Sequence, residues 1–299
     1  MRIDIVTVFP EMVRDALAHS IVKRAIDSGI VSINVVNLRE FTRDRHKTTD
    51  DTPYGGGGGM VMKIEPIARA LIHLTCAASE TNSDSETATG LEFVKSEFDR
   101  LVGFPARCRQ AGVRVALTDP RGMRFDQQTA RKWANDDHLI LLCGHYEGVD
   151  DRVRQRLVTD EVSIGDYVLT GGELPALVIV DAVTRLQAGA LGDVAATDKD
   201  TFSEDLLEYP HYTRPYAFVG WKTPDILLCG HHAEIQRWRR WHQLHDTHNR
   251  RPDLYQKLAL SASELKLFTG PEPTAPVDDR QDRQNSKIKK HEDTDGTGI

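Results

Sequence analysis

Three glycine-bearing loops hold the residues best suited to chemistry. Five consecutive glycines lie in residues 53–60 (PYGGGGGM), where the missing Cβ lets backbone approach a ligand or adopt positive φ. The run lacks the GK[ST] ending of a P-loop, and no GxGxxG lies between a clear strand and helix. A plain flexible linker is the competing reading; the apolar strand and helix patterns on either side favour a binding loop. Residues 144–148 (GHYEG) directly follow the apolar run LILLC. Glycines there free backbone N–H and C=O groups for a ring such as adenine, and Glu147 would set a charge beside it. Alone, the same loop reads equally as a βα turn whose glutamate caps the next helix. Residues 163–175 (SIGDYVLTGGELP) add Gly165, Gly171, Gly172 and the acids Asp166 and Glu173. As the third of a set they strengthen the case for a pocket.

Other residues could act on what such a pocket holds. Asp200, in DKDTF, can serve as a general base if a substrate proton comes within reach; a solvated loop acid is the plain alternative. Arg185 ends LVIVDAVTR, where its guanidinium could steady developing negative charge, or simply face solvent at a helix end. The adjacent His231 and His232 of GHH do not face the same way on a helix. No third ligand lies at a familiar spacing, so no metal site is assigned. HYTRP (211–215) and RWRRW (237–241) interleave aromatics with arginines, a pattern that can grip phosphate and stack on unpaired bases. For RWRRW the competing reading is an amphipathic helix whose tryptophans are core.

The elements that must carry these loops alternate. Residues 2–8 read as a strand, and Pro10 sits where a first helical turn tolerates proline. Val13, Leu17, Ile21 and Ala25 recur at four-residue steps, predicting one helix ended by Gly29. Residues 31–38 are a second β-rich run, 39–59 a long polar loop, and a helix runs from after Lys63 to about Leu74. Residues 77–90 are small, polar and acidic, and read as a solvated insertion. Strand-like runs at 113–118, 138–143 and 162–169 end in DPRG, GHYEG and TGGELP, with helices near 126–135 and 150–157 between them. That alternation predicts an α/β fold: a mainly parallel sheet with helices on both faces, ligands collecting beyond the strands' carboxyl ends. Residues 193–209 read as a linker, 210–269 as a small all-helical domain with helices near 233–244 and 252–260, and 270–299 as a disordered tail.

The chain has 299 residues, 39% hydrophobic and 28% charged, the profile of a soluble globular protein. No stretch approaches the ~18 consecutive apolar residues of a membrane span, and the amino end lacks a signal-peptide pattern. Four cysteines without CxxC spacing argue against a zinc ribbon or disulfide framework, so a reducing cytoplasm is expected. The net charge of −7 disfavours a general nucleic-acid-coating protein. Residues 211–257 nevertheless hold eight Lys/Arg against four Asp/Glu and six of the twelve histidines, which suggests a partner met on one face.

FPEM, PYGGGGGM, DPRG, GHYEGVDDRV, SIGDYVLTGGELPA, LLEYPHYTRP, LLCGHH, WRR and NRRPDL occur in this order across residues 1–268. Together they resemble the bacterial tRNA (guanine-N1)-methyltransferases of the TrmD type, in the knotted SPOUT superfamily. The resemblance implies methyl transfer from S-adenosyl-L-methionine to N1 of the guanine at tRNA position 37. It implies a trefoil-knotted cofactor site in residues 1–192, a homodimer whose sites draw on both subunits, and binding of the tRNA anticodon arm by residues 210–269. Magnesium is associated with the reaction at a site the sequence does not locate. A knot is a rare exception to chain topology that the strand pattern does not foretell.

Matched position by position, the implied cofactor loops are Leu117, Thr118, Asp119 and Pro120, then Gly144, Tyr146, Glu147 and Gly148. The third comprises Ile164, Gly165, Tyr167, Leu169, Gly171, Gly172 and Pro175. Asp200 matches the base, Arg185 the arginine that engages guanine, and Glu147 a third active-centre group. Gly57, Gly59, His211, Tyr212, Arg214 and His231 fall on the substrate side. Residues 76–100 and the tail carry no matched motif and are expected to be an insertion and solvated surface. The linker's composition suggests that RNA binding orders it. A knotted methyltransferase acting on another RNA base or on ribose is the alternative, with a non-enzymatic RNA-binding regulator a third. HYTRP and DKDTF count against the first; the retained Asp200, Arg185 and Glu147 count against the second.

Overall fold

Ile3, Ile5 and Val6 are fully buried because strand β1 (Arg2–Thr7) lies inside a sheet covered on both sides. The computed structural model describes residues 1–76, 99–191, 200–202 and 204–275. Most of the expected insertion, half of the expected linker and nearly all of the tail lie outside them. Contacts divide the chain into Met1–Val194 and Ala195–Ile299, taken here in turn.

In the first unit, β1 is joined by β2 (Ser32–Asn37), β5 (Val113–Arg124), β6 (His138–Cys143) and β7 (Asp160–Ser163). The order is β2-β1-β6-β5-β7, every pairing is parallel, and the expected α/β architecture is borne out. Two short strands, β3 (Asp50–Asp51) and β4 (Val61–Met62), pair antiparallel across the base of the five-glycine run. Successive side chains of β6 point to opposite faces. Leu139, Leu141 and Cys143 pack with residues of α1 (Pro10–Leu17), α2 (Ser20–Asp27), α5 (Gln127–Trp133) and α7 (Glu173–Thr184). Ile140 and Leu142 pack with α3 (Ile64–Cys76), α4 (Phe104–Gln110) and α6 (Asp151–Arg156). Each fully buried leucine contributes about 1.5–3 kcal/mol, so β6 is the main apolar anchor of the unit.

Several expected boundaries shift. The single helix over Val13–Ala25 is two, because the chain is extended at His19 and the buried face steps from Val13 and Leu17 to Val22 and Ala25. A four-residue step from Leu17 lands on Ile21, which is only half-buried; the change of phase marks the break. The strand expected over 162–169 stops at Ser163, whose hydroxyl donates to the Gly165 carbonyl at 3.0 Å and turns the chain out. Val168 beyond it is 85% exposed. Conversely β5 runs past Thr118: both Thr118 and Met123 pair with Val162 of β7, and residues 119–122 loop out between them. At Gly122 a Cβ would overlap the Val162 nitrogen and lie 2.5 Å from the Glu161 carbonyl carbon, so the two backbones touch there.

At the opposite end of the sheet Asp4 is fully buried and accepts from His138 Nε2 (2.6 Å), Asn34 Nδ2 (3.0 Å) and Arg2 Nε (2.8 Å). Burial alone would raise this carboxyl. The hydrogen bonds from His138, Asn34 and Arg2 outweigh it and hold the group below its ordinary 3.8. A folded-state value below the unfolded one gives stability that is complete above pH 3.8 and lost as pH falls through the lowered value. Urea unfolding of the wild type is therefore expected to weaken at acid pH, and Asp4→Asn to show a shallower acid dependence. Equal slopes for the two proteins would remove Asp4 from the account.

The second unit contains α8 (His232–Arg250), α9 (Pro252–Tyr255) and α10 (Ala262–Thr269) around Ile226, Cys229, Ile235 and Trp238. It is not wholly helical. A hairpin of β8 (Ala217–Phe218) and β9 (Trp221–Lys222) turns on Val219 and Gly220, both at positive φ as a two-residue hairpin requires. The helix expected over 252–260 is one turn, followed by α10, which starts on a capping box between Ser261 and Glu264. No described helix is long and apolar enough to cross a membrane.

Candidate functional site

At the carboxyl ends of β5, β6 and β7 the first unit opens into a cleft of ≈ 330 Å³, walled by residues 119–121, 144–149, 163–165 and 167–172. Every residue matched to the cofactor loops lines it except Leu117, which is fully buried in the core below. The three loops are tied together at the cleft floor. Thr118 Oγ1 lies 3.2 Å from the Leu142 carbonyl and 3.3 Å from that of Gly172, and the Gly172 N–H donates to the Gly144 carbonyl at 2.7 Å. Such backbone groups, held by protein rather than water, can present a fixed pattern of donors and acceptors to a ligand edge.

Two carboxylates frame this floor. Asp119 is gripped by Arg121 through Nε and Nη2, each at 3.0 Å, and through its backbone N–H at 2.9 Å. Burial works to raise its carboxyl, but the Arg121 bonds prevail and keep it below the ordinary value. Glu173 is only 2% exposed, sits in the first turn of α7, and accepts from Thr7 Oγ1 at 2.7 Å. Its other oxygen is 3.9 Å from His145 Nδ1, and the His145 ring is edge-on to Phe9 (4.7 Å) and Tyr146 (4.8 Å). Burial, then the Glu173 charge, push the Cys143 thiol well above its usual range, so this cysteine is no nucleophile.

The glycine run is stitched to this loop at one end. Glu147 N–H donates to the Met60 carbonyl (3.0 Å), Met62 N–H to Gly148 (2.9 Å), and Asp150 N–H to Met62 (3.0 Å). Gly59, at φ +85°, lies against Glu147: a Cβ there would be 2.5 Å from the carboxylate's Cγ and Oε1. Gly57 touches nothing and Tyr54 is wholly exposed, so the rest of the run stands in solvent. Gly59→Ala is expected to displace Glu147 and to slow the reaction by about tenfold or more. Gly58→Ala, where a Cβ meets open space, is the control in the same steady-state assay. Equal rates for the two would unlink Gly59 from Glu147.

The profile of the family described as "tRNA (Guanine-1)-methyltransferase TrmD" matches residues 1–103 and 104–257. The tRNA (guanine-N(1)-)-methyltransferase of Brevibacillus brevis is 48% identical over 268 residues, 90% of this chain and 97% of the relative. That of Halalkalibacterium halodurans is 47% identical over 90% and 96%, and that of Dictyoglomus turgidum 48% over 90% and 95%. The chain belongs to the tRNA (guanine-1)-methyltransferase family.

Not every residue carried over from the family pattern meets the cleft. Arg185 caps the carboxyl end of α7, while Glu173 at the amino end is buried against Gly171 of the cleft lining. Twelve residues of helix separate them, about 18 Å at 1.5 Å per residue. Asp200, His211, Tyr212, Arg214 and His231 belong to the second unit. There His211 pairs with Glu208 at 2.9 Å, Tyr212 is half-exposed, and Arg214 and His231 are exposed. RWRRW takes its plain reading for the tryptophans: Trp238 is core, and Trp241 stacks on His245 at 3.8 Å. Among the described residues no three His, Cys, Asp or Glu side chains are gathered as a metal site.

The lining residue His145, and the contacts of Thr7 and Phe9 with Glu173 and His145 behind it, are not legible in the sequence. The available signal was Glu173 itself, an acid directly before the apolar run LPALVIV, where a helix start favours negative charge.

Proposed function

We propose that this protein transfers the methyl group of S-adenosyl-L-methionine to N1 of the guanine at position 37 of tRNA. The observation that carries the reading is the cleft: three loops at the carboxyl ends of neighbouring parallel strands, tied through Thr118, Gly144 and Gly172, in a chain of this family. At ≈ 330 Å³ it falls in the range of small-molecule sites, and its mixture of backbone polar groups with Pro120, Ile164 and Leu169 suits an adenosine. The cofactor supplies an electrophilic methyl on a good leaving group. What remains for the protein is positioning and proton removal.

Guanine N1 carries a proton at neutral pH and is a poor nucleophile until that proton leaves. Asp200 takes it as general base, Arg185 stabilises negative charge building toward O6, and Glu147 fixes the cleft side of the active centre. Arg185 sits at the far end of α7 from its own cleft, which favours a site completed by a second copy of the chain. Exposed Met12, Leu174 and Val178, on α1 and α7, give a homodimer apolar surface to bury. A trefoil-knotted cofactor site in residues 1–192 belongs to the same reading. Residues 1–192 form the methyltransferase domain, 193–209 the linker and 210–269 the domain that holds the anticodon arm. The enzyme works in the cytoplasm.

The test is methyl transfer from labelled S-adenosyl-L-methionine to tRNA transcripts carrying guanine or adenine at position 37. Label only on the guanine transcript, at N1, is the expected result. Equal labelling of both transcripts, or label on ribose, would sink the substrate assignment.

A further inference from the structure

Thr247 is fully buried in the last turn of α8, although threonine is a mediocre helix former. Its hydroxyl is engaged on both sides. It donates to the Gln243 carbonyl one turn back (2.6 Å) and accepts the Leu207 N–H (2.9 Å), from the segment that follows Asp200. Valine would fill the same volume but would leave the half-buried Leu207 N–H without its acceptor.

The segment around that contact is closed on itself and clamped to the same helix. Phe202 N–H donates to the Leu206 carbonyl (2.9 Å), Glu208 N–H to Thr201 Oγ1 (3.1 Å), and Leu206 is buried. Arg240 holds Glu204 at 2.9 Å while its other nitrogen holds Glu264 of α10. The Arg251 guanidinium lies over the Phe202 ring at 5.5 Å, and that of Arg239 over Tyr209 at 4.6 Å. Phe202 and Asp205 both adopt positive φ, a conformation that non-glycine residues hold only when their surroundings impose it.

We propose that Thr247 is a positioning residue for methyl transfer: α8, through Thr247 and the Arg251–Phe202 stack, fixes the backbone that presents Asp200. The proposal rests on the reading of Asp200 as base. It gives the second unit a part in the reaction besides holding RNA, and makes residues 200–209 an extension of α8.

Single-turnover methyl transfer at saturating cofactor and tRNA, measured beside tRNA affinity, tests it. Thr247→Val is expected to slow transfer about 10- to 100-fold, the range for a displaced reacting group, with affinity moving less than about threefold. Thr247→Ser, which keeps the acceptor, restores most of the rate. Phe202→Ala, at a position 41% exposed and outside the core, slows transfer in the same direction should Thr247→Val fail to fold. Because Thr247 acts through Asp200, Asp200→Ala/Thr247→Val is no slower than Asp200→Ala alone. Thr247→Val at full rate, a loss of affinity that accounts for the loss of rate, or multiplying effects in the double variant would each overturn the proposal. Asp200→Ala at wild-type rate would sink the base reading and this one with it. An inert Asp200→Ala beside a fully active Thr247→Val would sink the positioning role alone.

Discussion

Asp200→Ala is expected to slow methyl transfer by about 10²- to 10⁴-fold, the usual contribution of a positioned general base, while cofactor binding stays at the wild-type level. The two effects separate because the cofactor cleft is lined by first-unit residues, Thr118 through Pro175, whereas Asp200 belongs to the second unit. Asp200→Asn sharpens the test, since it keeps the shape of the side chain and removes the basicity. Both variants should titrate with cofactor as the wild type does and stall at transfer under single-turnover conditions. A variant that lost cofactor affinity in parallel with rate would make Asp200 part of the cleft's architecture. A fully active one would pass the base role to another group, Glu147 being next in line.

Gly122→Ala is expected to destabilise the first unit strongly. The new methyl group would meet the backbone of Glu161 and Val162, atoms that cannot rotate away as a side chain can. Either β7 moves or the 119–122 loop opens, and both lie in the wall of the cleft. Overpacking of this kind costs about 3 kcal/mol or more where the surroundings are fixed. That corresponds to a fall of roughly 6–12 °C in apparent Tm for a unit of this size. Gly58→Ala, with open space at its Cβ, should lie within about 0.5 kcal/mol of wild type. An unchanged Tm for Gly122→Ala would mean that the two limbs of β5 do not close on β7 as described.

How far the sequence alone reached can be judged element by element. β6 was legible, because the five apolar residues Leu139–Cys143 in a row have no other place in a two-faced sheet. The cleft was legible too, since glycine-rich loops on successive parallel strands must gather at one end of the sheet. The continuation of β5 was not: DPRG carries the local chemistry of a turn, and only pairing with Val162 on both sides makes its flanks one strand. Tyr167, Val168 and Leu169 misled in the other direction. Their apolarity reads as strand, yet they are exposed at the cleft. The break at His19 was hidden because the four-residue spacing continues across it. Glu173 looked like one more loop acid until its burial against Thr7, distant in sequence, was seen. No helix was expected over Glu173–Thr184, and a helix end was only the plain alternative for Arg185, so nothing local could tell which end of that helix faces the cleft.

The pairing of β1 with β6 has a consequence for how the chain is made. Arg2 lies beside His138, and Thr7 meets Glu173 across 166 residues. During synthesis from the amino end, β1 can pair with β2 early but must wait for residue 138 before its other edge is covered. At ordinary elongation speeds that interval is on the order of ten seconds, during which an apolar strand edge stays open on the ribosome. A nascent chain halted before residue 173 would lack the carboxylate under its cleft floor. The unit therefore completes late and all together, and its half-made sheet is a natural client for chaperones that cover strand edges.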